Sequence, residues 1–141
     1  MVIHESVWKF DRIYWKMKQS SDFNPIIVIC PYIMQGDKVM TRDMDKAYLW
    51  YREKGYNVIK SLRSNKQWIN IKSELKPDLM FFTNPHDLTE VQFLAKSFLN
   101  ILTVYVPYGH QVTKYMNYHA QYNQLFHNIM VSVRQTAHSP H

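Results

Sequence analysis

The residues best placed to do chemistry follow the run Ile101–Val106 (ILTVYV). That run reads as a buried strand. It stops at Pro107-Tyr108-Gly109, and His110 follows at once. A parallel strand that ends in a tight turn carries its next side chains to the sheet edge where ligands bind. A histidine there, neutral near pH 7, can take a proton from a hydroxyl nucleophile. A second such loop is Asn84-Pro85-His86-Asp87, after the predicted strand Asp78–Phe82. Gly36 and Gly109 both fall in loops just after predicted strands, where backbone can turn sharply or approach a ligand. In a parallel sheet these loops share one edge, so Gly36, Asn84, His86, Tyr108, Gly109 and His110 form the expected polar rim. His119 and His127 fall on or near a predicted last helix and read as structural or surface residues. His138 and His141 fall in the tail.

The elements that would position this rim alternate between strand and helix signals. Apolar spacing predicts helices over Val7–Gln19, Asp43–Lys54, Trp68–Lys76, Thr89–Leu99 and Tyr115–Asn128. Short apolar runs predict strands over Pro25–Cys30, Tyr56–Lys60, Asp78–Phe82 and Ile101–Val106, with Ile129–Val133 as a fifth. Val2–His4 reads as the stump of another. This is an α/β pattern: a Rossmann-like three-layer sandwich with a mostly parallel sheet of about five strands and helices on both faces. The chain reads as one domain, residues 1–141. Its last residues, Arg134–His141, look like a helix cut off as it starts, which predicts a segment of something longer.

Composition narrows the function classes. The formal charge is +6, and every Asp and Glu lies at or before Glu90. Beyond it no carboxylate is available, and His and Tyr are the candidate acid–base groups. A basic face suits an anionic partner such as a nucleotide or phosphate ester. Cys30 is the only cysteine, so no intrachain disulfide forms. The start lacks the basic-then-apolar profile of a signal peptide, and no apolar run spans a bilayer. The expectation is a cytoplasmic chain, able to work at the inner face of the cell membrane. No Walker loop, GxGxxG, GxSxG or CxxC motif occurs, and the His spacings match no common zinc pattern. No cofactor and no metal are therefore expected. The aromatic stretch Tyr105–Phe126 reads as core packing rather than as a nucleic-acid stacking surface.

The runs PIIVICPY (Pro25–Tyr32), KGYNVI (Lys54–Ile59), PDLMFFTNPHDLT (Pro77–Thr89) and LTVYVPYGHQV (Leu102–Val112) resemble the N-terminal domain of the CDP-glycerol glycerophosphotransferase family. That family includes teichoic-acid polymerases and related surface-polysaccharide transferases. The resemblance runs from Trp8 to Val133. It implies one half of a GT-B-type enzyme, the acceptor-side domain, with the donor nucleotide held mainly by a C-terminal domain that this chain lacks. The implied reaction is displacement at the β-phosphate of a CDP-linked polyol by an acceptor hydroxyl, with CMP leaving. His110 would be the base; where the polymerases read Trp-His-Gly, this chain reads Tyr108-Gly109-His110. The domain alone is expected to bind donor weakly and to catalyse nothing. Two other readings stay open. One is a non-catalytic Rossmann-like module for an anionic partner. The other is half of a GT-B transferase that uses a different nucleotide-sugar.

Overall fold

The computed structural model describes residues 1–83 and 87–105. Asn84, His86, Tyr108, Gly109 and His110 lie outside these residues, as do the predicted helix Tyr115–Asn128 and the predicted strand Ile129–Val133. The described chain is mixed α/β. Its helices are α1 (Asp11–Gln19), α2 (Asp37–Glu53) and the single turn α3 (Ile71–Glu74). Its strands are β1 (Ile27–Ile29), β2 (Val58–Lys60), β3 (Leu79–Phe82) and β4 (Leu102–Tyr105).

The strands form two parallel pairs, not the single sheet of about five strands that the pattern predicts. β1 pairs with β2 (Ile27 opposite Val58), and β3 with β4 (Leu79 opposite Leu102). Between the pairs runs the short segment Met1–Val2. Val2 forms a parallel bridge to Ile29: its N–H donates to Val28 O (3.0 Å), and Cys30 N–H donates to Val2 O (2.8 Å). On its other side the Met1 nitrogen donates to Phe81 O, and the Thr83 hydroxyl donates to Met1 O (3.3 Å). The lateral order is therefore β2, β1, Met1–Val2, β3, β4.

Side-chain alternation along β1 separates two cores. Ile27 and Ile29 join Val2, Tyr14, Met44, Ala47 and Tyr51 on the α1–α2 side. Val28 and Cys30 join Ile3, Ile71, Met80, Phe82, Phe93 and Phe98 on the other. The expectation of strands covered on both faces holds for β1, whose residues are all buried.

Four predicted helices are corrected. The first begins at Asp11 rather than Val7. Glu5–Val7 is a separate 3-10 turn, and extended backbone at Trp8 lets both Trp8 and Phe10 reach the core. The second begins at Asp37 rather than Asp43. Its buried stripe is Met40, Met44, Ala47 and Tyr51, so the helical signal starts a turn earlier inside a run that is otherwise polar. Thr89–Leu99 is not an α-helix but two 3-10 turns, Val91–Phe93 and Ala95–Phe98. Phe93 and Phe98, five residues apart, would point to different faces of an α-helix. Extended backbone at Leu94 breaks the helix and lets both enter one core. Trp68–Lys76 shrinks to the one turn of α3, because Trp68 bridges back to Leu62 instead.

Candidate functional site

Parallel strands send their following loops to a common edge. At this edge β1 leads into Cys30-Pro31-Tyr32, a 3-10 turn over Ile33–Gln35, and Gly36. Met1–Val2 leads through Ile3 to His4. β3 leads to Thr83. The Ile33 N–H donates to Leu88 O (3.1 Å), which ties the loop after β1 to the one after β3. The His4 ring meets the Tyr32 ring edge-on, with centroids 5.3 Å apart. His4 is half-buried, and it is the only histidine among the described residues.

Of the residues the sequence singles out, Gly36 is the one the structure describes. It sits at the N-cap of α2 with φ +78° and ψ 163°, a conformation essentially reserved for glycine. No side chain of the described residues caps the helix there, and a Cβ at Gly36 would meet none of their atoms within 4 Å. The first N–H groups of α2 thus open towards solvent beside the loop. A helix start of this kind favours an oxyanion.

Sequence reasoning missed His4. The signal was present, since Val2–His4 reads as a strand stump and a residue after a strand belongs to the same rim. The short run drew attention away from it. Cys30 has the opposite character. It is wholly buried, and burial pushes its thiol up to about 12, so it is a packed apolar group rather than a nucleophile. Nearby, Lys46 pairs with Glu5 (2.8 Å), and that hydrogen bond holds the Glu5 carboxyl below its ordinary value. Ser61, which follows β2, has a buried hydroxyl with no hydrogen-bond partner among the described residues.

The edge can therefore offer one imidazole for proton transfer, an open helix start for an anion, and backbone at a glycine that permits close approach. No cluster of metal-ligating side chains occurs among the described residues, and none of their helices is long and apolar enough to cross a membrane. No family model, no curated protein and no solved structure matches this chain.

Proposed function

We propose that this chain is the acceptor-side, Rossmann-like half of a nucleotide-dependent transferase that moves a polyol phosphate, with a CDP-linked polyol such as CDP-glycerol as the donor class. The lateral order β2, β1, Met1–Val2, β3, β4 carries the reading. Numbered by chain position, it follows the first five places of the 3-2-1-4-5-6 order of dinucleotide-binding sheets. The strand order reverses between Met1–Val2 and β3, and ligands in open α/β sheets bind outside the carboxyl ends at such a reversal. His4 and Thr83 follow the two strands that flank it, and Gly36 opens α2 beside them. The resemblance of Pro77–Thr89 and Leu102–Val112 to the glycerophosphotransferases supplies the reaction class.

In this reading the acceptor's terminal hydroxyl lies at the carboxyl edge. An imidazole takes its proton as it attacks the donor's β-phosphate, and CMP departs. His110 holds that role by resemblance. The α2 start would hold an acceptor phosphate by its N–H groups. Donor affinity would come mainly from a second domain.

The test is a titration of the protein with glycerol 3-phosphate as acceptor mimic, followed residue by residue in amide NMR spectra. Shifts should gather at His4, Gly36, Asp37 and Thr83. His4→Ala should weaken binding about tenfold, equivalent to about 1.4 kcal/mol. CDP-glycerol should bind more weakly than the mimic, with no CMP released. Shifts gathered elsewhere, or no shift at millimolar ligand, would overturn the proposal.

A further inference from the structure

The stretch between Met1–Val2 and α1 carries a lysine across the reversal of strand order. Trp8 and Phe10 fix the backbone on either side of it. The Trp8 ring lies edge-on to Tyr14, Tyr51 and Tyr56. The Phe10 ring lies against Phe81 of β3, with centroids 5.3 Å apart. Lys9 stands between the two anchors. Its backbone belongs to the Met1–Val2 side of the reversal, yet its Nζ lies 6.0 Å from the centroid of the Tyr105 ring. Tyr105 is the last residue of β4, so the side chain reaches across to the strand ends on the other side.

The setting suits an anion. Lys9 is half-buried, and burial holds its ammonium below the ordinary lysine value. A charge in a partly desolvated place attracts an opposite charge more strongly than one in open water. Lysine meets phosphate as a point charge, so phosphoryl oxygens can approach it in several orientations. The acids of the same stretch are directed to other groups: Glu5 pairs with Lys46, and Asp11 accepts from Trp15 and Tyr56. The order along the carboxyl edge then matters. Gly36 opens α2 after β1, His4 follows Met1–Val2, Thr83 follows β3, and the Lys9 ammonium lies by the end of β4. An imidazole between two places that favour anions fits two phosphate-bearing ligands that react with each other.

We infer that Lys9 receives the donor's diphosphate at the carboxyl ends of β3 and β4, across the edge from the acceptor phosphate at the start of α2. The inference rests on the transferase reading for its ligand and on the fold for its place. The ammonium offsets the charge of the diphosphate while the acceptor hydroxyl attacks, and it keeps its own proton throughout.

The test follows the lysine Cε–Hε resonances of the unaltered protein as inorganic pyrophosphate is added. The Lys9 resonance should move. That of Lys54, whose Nζ lies 4.7 Å from the Trp50 ring centroid at the other end of α2, should not. Glycerol should move neither. Lys9→Gln keeps the stem and removes the charge, and it should weaken pyrophosphate binding about tenfold. Lys9→Arg should restore it. A Lys9 resonance unmoved at millimolar pyrophosphate, or equal affinity in Lys9→Gln, would overturn the inference. The resonance is read on the unaltered protein, so it decides even where a variant folds poorly. Glycerol 3-phosphate separates the two claims. If it still shifts His4, Gly36 and Thr83 while Lys9 ignores pyrophosphate, the role of Lys9 falls and the transferase reading stands. If pyrophosphate moves Lys9 and glycerol 3-phosphate gathers nowhere on this edge, the place for a diphosphate stands and the acceptor-side reading falls.

Discussion

At the scale of single residues, two positions make opposite predictions. Gly36 holds φ +78° with ψ 163° in open space, so a side chain there meets strain in the backbone and nothing else. Gly36→Ala should lower the unfolding free energy by about 1–3 kcal/mol in urea titration. An unchanged midpoint would show that the loop relaxes. Tyr51 is fully buried, its ring edge-on to Trp8, Trp50 and Tyr56, while its hydroxyl finds no hydrogen-bond partner among the described residues. Tyr51→Phe keeps the ring contacts and removes a desolvated polar group. It should stabilise the protein by about 1 kcal/mol, measured the same way. A loss of stability would reveal a partner for the hydroxyl.

At the scale of elements, α3 shows how little sequence is needed to build a turn when its ends are tied. The Asn70 side chain accepts from Ser73 N–H (3.2 Å), and the Glu74 carboxylate accepts from Asn70 N–H (2.8 Å). This reciprocal arrangement satisfies donors that one helical turn cannot satisfy itself. That backbone bond, more than the nearby Arg63, holds the Glu74 carboxyl below its ordinary value. Asn70→Ala should cost about 0.5–2 kcal/mol. Exchange at the Ser73 amide should speed up by more than exchange in α2. The corrected helices belong to this scale too. Met40 was visible as an apolar residue four before Met44, but polar neighbours hid the turn. Phe93 and Phe98 gave a helix-like apolar density whose spacing of five fits no single helical face.

At the scale of the whole molecule, the buried acids set the response to alkali. Burial raises Cys30, and burial also raises Tyr51 and Tyr56, the last with help from its hydrogen bond to Asp11. Each raised group keeps its proton in the folded state after the unfolded chain has lost it. Stability from this source is therefore complete below the unfolded pKa and falls as pH rises beyond it. The unfolding free energy should decline from about pH 9 upward. Cys30→Ala should delay the onset of that decline by removing its earliest contributor. A curve that rises between pH 9 and 11 would contradict the burial of these groups.

Much of the architecture was legible in the residues alone. β1, β2, β3 and β4 fall inside the runs that apolar, β-branched composition marks, because a buried strand has few other ways to be written. Gly36 was legible as a special position for the same local reason, since φ above zero selects glycine. The stump Val2–His4 was legible as a strand, yet its importance was not. Only the tertiary structure sets it between β1 and β3, and only that placement makes His4 part of the carboxyl edge. Local sequence encodes the preference of a segment for a conformation. Lateral order is decided by hydrogen bonds between segments far apart in the chain, as Met1 and Phe81 are, and no local pattern records them.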